Sequence, residues 1–424
     1  MSHASPRRTI YAWALYDWAN SAYATTVMAG FFPIFFKQYW ASGLSVNAST
    51  FWLGISNAAA GLLIALLAPM LGAIADQGGL KKRMLFAFSA LGIVMTAALF
   101  LVSAGHWLLA VLLFTFGAIG FSGANLFYDA LIVDVAEPVD YNRVSALGYA
   151  LGYIGGGLLF AINVLMLLHP SWFMLADKTA AVRWSFLSVA IWWALFSLPL
   201  LRAVHERGEA VRPHWRVALR QGFSQLLATR RQLRGLKPVW LFLLAYFLYI
   251  DGVNTVARMA VDYGLSLGFD ASVLMTALLM TQFIAFPAAL LMGWLGTRWS
   301  AKGVILLSLL VYAAVCVWST TMQQASDFYG LAAAIGLVMG GVQALSRSLY
   351  ASMIPAAQAA EFFGFFNMLG KFAAVLGPAL MGLASLLSGS ARFSILVIVL
   401  LFALGGWLLY RVDCRAGAAE ATPG

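Results

Sequence analysis

Long apolar runs separated by short polar stops dominate the chain. About twelve of them approach or exceed the roughly 20 residues that an α-helix needs to cross a bilayer. They fall near 10–38, 51–75, 84–104, 107–133, 144–168, 183–203, 238–262, 273–297, 303–322, 327–350, 362–388 and 392–411. The strands of a transmembrane barrel are about 10 residues long and alternate in polarity, whereas these runs are longer and apolar all round, as helices in lipid are. The pattern therefore predicts an all-α membrane protein with twelve transmembrane helices. The first run is too long for a cleaved signal and carries Asp17 and Asn20, so it counts as the first span.

Composition removes the soluble alternatives: 62% of residues are hydrophobic and only 10% are charged. The formal net charge is +10, and its cations lie between spans rather than on one compact domain. One side holds Arg7, Arg8, Lys81, Lys82, Arg83, Arg143, Arg202, the cluster from Arg207 to Lys237, Arg298, Lys302, Arg411 and Arg415. The other holds little beyond Lys37, Lys178, Arg183 and Arg392. The positive-inside rule then places both termini in the cytoplasm, for a multi-pass protein of the cytoplasmic (inner) membrane, and no nucleic-acid partner is needed to explain the charge. Cys316 lies within a span and Cys414 in the tail, so no disulfide is expected.

The longest polar stretch, 204–237, divides the chain into a six-helix half at 1–203, a basic linker, and a second six-helix half with a short tail at 238–424. Two strings support an internal repeat: Asp17-Trp18-Ala19-Asn20-Ser21 and Asp251-Gly252-Val253-Asn254-Thr255, which lie 234 positions apart. At an offset of 218, Gly123 falls on Gly341, Asp129 on Arg347, Arg143 on Glu361 and Gly152 on Gly370. The fold class is thus two pseudo-symmetric halves. The inverted charges at Asp129, Arg143, Arg347 and Glu361 suit a latch between the halves on the basic side, although ordinary interfacial charges would look the same.

Between the second and third spans lies Gly72-Ala73-Ile74-Ala75-Asp76-Gln77-Gly78-Gly79-Leu80-Lys81-Lys82-Arg83. This loop resembles the signature loop of the major facilitator superfamily, in which Gly, Asp, Gly and a basic cluster recur in this order. Asp76 is a gating candidate on that basis. Tyr16-Asp17-Trp18-Ala19-Asn20-Ser21-Ala22-Tyr23, the stretch Gly148 to Gly156, Gln343 to Ser348, and Glu361 to Phe366 leading to Gly370-Lys371 and Gly377-Pro378 are similar to the vacuolar-effluxer-like family. That branch is related to the fungal autophagy-associated amino-acid effluxer. The resemblance implies a major facilitator fold, a gradient-driven or proton-linked transporter, amino-acid efflux as the associated role, and the superfamily's usual monomer.

The residues themselves narrow the site. Asp251, Asn254, Thr255, Arg258 and Asp262 form a stripe on the seventh span, and Tyr16, Asp17, Asn20 and Tyr23 form a matching face on the first. An ionised group at membrane depth costs several kcal/mol, so such a face should meet protein or a water-filled cavity. With Lys371 and Tyr153, these residues suit a zwitterion: Asp17 or Asp251 for an ammonium, Arg258 or Lys371 for a carboxylate. A second reading stands beside it, in which Asp251 pairs with Arg258 or Lys371 and merely orders the bundle. Asp17 and Asp251 are the proton-coupling candidates.

His3, His106, His169, His205 and His214 all lie in termini or loops, which disfavours a soft-metal site, and no metal is expected. No cofactor-binding or catalytic motif is present, so an enzyme is not expected. The competing functions are a broad-specificity drug or organic-cation exporter and, from another class, a non-transporting receptor or lipid-handling protein.

Overall fold

A computed structural model describes residues 6–206, 236–266, 269–388 and 395–421, and every regular element among them is a helix. The basic linker at 207–235 lies outside the described residues. The first helix, α1, runs from Pro6 to Ala22 and continues without a break through π-helical turns (Tyr23–Phe31), Phe32–Phe35 and Phe36–Trp40. Then come α2 (Val46–Gly78), α3 (Lys81–Leu99), α4 (Trp107–Ala130), α5 (Tyr141–Leu168) and α6 (Lys178–Ala203). The second half holds α7 (Lys237–Ser266), α8 (Ala271–Leu295), α9 (Ala301–Ser319), α10 (Ala325–Ala351), α11 (Ala359–Ser388) and α12 (Leu396–Arg411). A short α13 (Cys414–Ala421) closes the described chain.

Eight stretches qualify as bilayer spans by length and hydropathy alone, and one of them, Val273–Ser319, contains both α8 and α9. The remaining three of the twelve are α1, α11 and the 16-residue α12. Leu66, Leu310 and Leu400 are more than half exposed, as side chains facing lipid are. The longest single helix, α2, has 33 residues, a rise of about 50 Å, enough to span the hydrocarbon and reach past it.

Packing repeats between the halves. Within the first half α1 packs on α5 and α6, α3 on α4 and α6, and α2 on α4; within the second α7 packs on α11 and α12, α9 on α10 and α12, and α8 on α10. Across the halves the pairs are α2 with α11 and its symmetry mate α8 with α5, then α10 with α5 and its mate α11 with α4. These pairings are those of a pseudo-two-fold axis between two six-helix units, which agrees with the sequence offsets.

Small residues let the axis helices approach, because in lipid association rests on close packing rather than hydrophobicity. A Cβ at Gly152 of α5 would lie 2.7 Å from Ser21 Oγ, and one at Gly148 would lie 2.9 Å from Asp17 Oδ2. On α2 a Cβ at Gly72 would meet the backbone of Ala360 and Glu361 at the start of α11.

Candidate functional site

Helix α1 turns a ladder of Asp17, Asn20, Ser21, Ala24 and Thr25 toward the axis, an i, i+3, i+4, i+7, i+8 stripe. Together with α4, α5, α7, α8, α10 and α11 it walls a cavity of about 400 Å³. The first half contributes Asp17, Asp129, Tyr149 and Tyr153; the second contributes Asn254, Gln343, Arg347, Asn367 and Lys371.

Arg347 forms the floor. Only 1% exposed, it projects from α10 into a socket built wholly by the first half. Its Nη1 donates to Asp129 Oδ1 at 3.0 Å and lies 3.5 Å from Asp17 Oδ2; Nε donates to Ser145 Oγ at 2.9 Å, and Nη2 to the Ser145 carbonyl at 3.0 Å. The guanidinium sits over the rings of Trp13 (4.8 Å), Tyr128 (5.3 Å) and Tyr149 (4.4 Å). Tyr128 also donates its hydroxyl to Asp17 Oδ2 at 2.8 Å, and Asn367 Nδ2 donates to Asp129 Oδ2 at 3.2 Å. Two carboxylates thus share one fork of donors, and aromatic rings pack over the guanidinium. Asp129 and Arg347, equivalent under the 218 offset, touch each other. Equivalent positions meet only beside the symmetry axis, which locates the floor there.

The matched aspartates do not share a setting. Asp251 is fully buried and lines no part of this cavity; its Oδ1 accepts from the Gly377 amide of α11 at 2.9 Å and from Thr255 Oγ1 at 3.5 Å. A Cβ at Gly377 would collide with Thr255, so the glycine admits α7 and Asp251 to the α11 backbone. Helix α7 instead turns Tyr246, Ile250 and Asn254 inward. Tyr16 and Tyr23 likewise point away from the cavity. Their hydroxyls bond Ser89 Oγ at 2.7 Å and the Phe114 carbonyl at 3.5 Å, because one residue of phase on α1 rotates a side chain by a quarter turn or more. Asn20 reaches the site and donates to Asn125 Oδ1 at 2.5 Å. Tyr153 donates to Gln343 Oε1 at 3.4 Å. The side chains of Arg258 and Asp262 lie outside the described residues.

On the basic side the halves are joined. Asp76 Oδ1 and Oδ2 accept from the amides of Ala360 (3.1 Å) and Glu361 (2.8 Å), which places a carboxylate of the first half on the opening turn of α11. Lys81 holds that carboxylate at 3.6 Å and donates to Asp134 at 3.1 Å. Ser145 donates to the Ala344 carbonyl at 2.7 Å, and Ser348 to Asn142 Oδ1 at 2.6 Å. Of the four inverted charges, Asp129 and Arg347 form a pair; Arg143 is exposed, and Glu361 enters the contact through its backbone amide. Toward the other side the cavity continues, through Ala24, Thr25 and Gln282, into a second chamber of about 640 Å³ that reaches Tyr263, Ser319, Met322 and Phe328 at the non-basic helix ends.

The sequence pattern placed Arg347 at a gate rather than in the cavity, and Asn125, Gln282 and Asn367 were not among the candidate site residues. All four line the site. The available signal was Asn367 and Lys371, four residues apart on α11 and therefore on one face. Asn57, a further polar residue within a span, is exposed and donates to the Leu53 carbonyl of its own helix.

Two repeated halves, a charged cavity on the axis between them, and a closed seam at one membrane face define a transporter of the major facilitator superfamily. Solved structures share this fold: the human organic anion transporter MFSD10 (TETRAN) superposes with a TM-score of 0.75 at 16% identity, covering 96% of this chain and 100% of that one. The proton:xylose symporter XylE does so with a TM-score of 0.69 at 16% identity, covering 96% and 94%. Within that superfamily the chain belongs to the family described as Vacuole effluxer Atg22 like, whose model matches residues 40–139 and 133–422. A Bacillus subtilis (strain 168) protein described as an uncharacterized MFS-type transporter, YxiO, is 41% identical over 397 residues, 93% of this chain and 92% of its own. Autophagy-related protein 22 of Yarrowia lipolytica is 27% identical over 310 residues, 66% of this chain; the match spans about half, 51%, of that longer fungal relative.

Proposed function

We propose that this transporter moves amino acids or related zwitterions by alternating access, coupled to protons through Asp17 and Asp129. The observation that carries the reading is the mixed charge of the cavity floor: carboxylates from the first half and cations from the second, Arg347 and Lys371, line one space of about 400 Å³. That volume lies within the range of small-molecule sites. A zwitterion's ammonium fits beside Asp17 and Asn20, and its carboxylate beside Lys371. The halves at 1–203 and 238–424 rock about the axis, with the basic side in the cytoplasm of a cell whose inner membrane holds the protein as a monomer. When they part on that side, Arg347 leaves its socket. Both acids then lose their common partner, and a proton on one of them lowers the cost of exposing the pair. The family's description as effluxers supports movement of the solute out across the membrane.

The test is thermal stabilisation of the purified protein against amino acids, small peptides, sugars, organic cations and divalent metals, because a ligand stabilises the native state by mass action. Amino acids should stabilise the wild type and Asp251→Asn but not Asp17→Asn. Stabilisation by organic cations alone would overturn the reading in favour of a drug exporter. Uptake into proteoliposomes under an imposed pH gradient then checks the coupling, which Asp17→Asn should abolish.

A further inference from the structure

The second chamber is the larger of the two and differs in kind. Its walls are almost wholly apolar, and they extend beyond the axis helices: Val315 and Cys316 come from α9, Ile398 from α12, and Ile395 from the position just before α12. Those helices lie behind α7, α8 and α10 in the packing of the second half, so this is an annex inside that half rather than only a widening of the path between halves. Alanines on the walls, among them Ala257, Ala260, Ala277 and Ala332, leave the space open where larger side chains would fill it. The annex joins the charged cavity at Ala24, Thr25 and Gln282, which line both. Thr25 lies eight residues beyond Asp17 on α1, a rise of about 12 Å and farther than a leucine side chain extends.

We infer that the annex is a second subsite, and that the transported zwitterions include amphipathic ones whose apolar body is longer than the side chains of the common amino acids. The inference rests on the zwitterion reading above: acids and cations are intermingled at the floor, with Arg347 3.0 and 3.5 Å from two carboxylates, so both charges of the solute sit at one end and its apolar body points up the cavity. The bond at Thr25 agrees with an apolar passage, since its hydroxyl is already spent on the Ser21 carbonyl at 2.8 Å. An apolar chain entering the annex leaves water for a wall of Val, Leu, Ile and Phe.

The experiment uses linear 2-amino acids that share one zwitterionic head and differ only in alkyl length, from alanine to 2-aminododecanoic acid, with the full-length protein in lipid nanodiscs. Affinity is read by titration calorimetry, and occupancy of the annex by protection of a cysteine placed at the exposed wall position Ala257→Cys, in a Cys316→Ser, Cys414→Ser background, from an uncharged thiol reagent. Each methylene entering the annex should tighten binding by about three- to fourfold. The gain should continue past four side-chain carbons and then level off, and the long members should protect the introduced cysteine. Ala277→Phe should bring the plateau to shorter chains while leaving alanine binding unchanged; Ala332→Phe is the second variant should the first fold poorly. Short members that bind while affinity falls beyond four carbons, without protection of the introduced cysteine, would overturn the annex and leave the zwitterion site standing. Failure of every member to bind would overturn both.

Discussion

At the scale of single residues, Arg347 concentrates more interaction than any other polar side chain described in the cavity. Arg347→Ala leaves Asp17 and Asp129 buried beside each other without the cation they share, which should cost about 3–5 kcal/mol. The measurement is the unfolding midpoint, and adding Asp17→Asn with Asp129→Asn to the same chain should recover much of the loss. Arg347→Lys should recover less, because an ammonium cannot present a fork to two carboxylates and the Ser145 carbonyl at once. Asp251→Ala should behave differently. It removes the acceptor of the buried Gly377 amide, a cost of about 1–3 kcal/mol, while solute affinity stays as in the wild type. Both aspartates were legible in the sequence as intramembrane charges in matched strings. Their division of labour was not, since it depends on Gly152 admitting α1 to α5 with Asp17 still facing the axis, and on Gly377 drawing Asp251 onto α11.

At the scale of elements, the decisive contact is the first turn of α11 against the end of α2. Asp76 binds two amides that the helix cannot satisfy internally, and Gly72 and Gly364 let the backbones meet. Asp76→Ala should weaken this seam by about 1–2 kcal/mol, as loss of a helix cap does. Such a loss shifts the populations about 5- to 30-fold toward the form open on the basic side. A cysteine at the buried Ala344→Cys position, in a chain with Cys316→Ser and Cys414→Ser, should then be modified faster from that side. The signature loop announced an acid at this turn. Its partner could not be read, because a backbone amide 284 positions away leaves no mark of residue type, whereas Glu361, one of the four charges read as a latch, meets Asp76 through its amide.

At the scale of the whole molecule, the contacts lie on the basic side and the chambers extend to the other, so transport requires the basic-side seam to open. Asn142→Cys with Ser348→Cys joins α5 to α10 where their side chains already meet at 2.6 Å. Oxidation should stop transport, reduction should restore it, and each single variant should transport in both conditions; solute should still bind the oxidised protein from the open side. The sequence by itself determined the twelve spans, the two halves, the sign of charge at each membrane face and the presence of acids and cations at depth, because transfer into hydrocarbon is a property of composition and run length. Only the tertiary structure decided which face of each helix meets the axis, that Arg347 serves Asp17 as well as Asp129, and that an apolar annex opens above the charged floor. Lipid is as apolar as leucine, so hydropathy fixes a helix in the membrane without fixing its rotation; small residues and a few polar bonds between helices set that rotation.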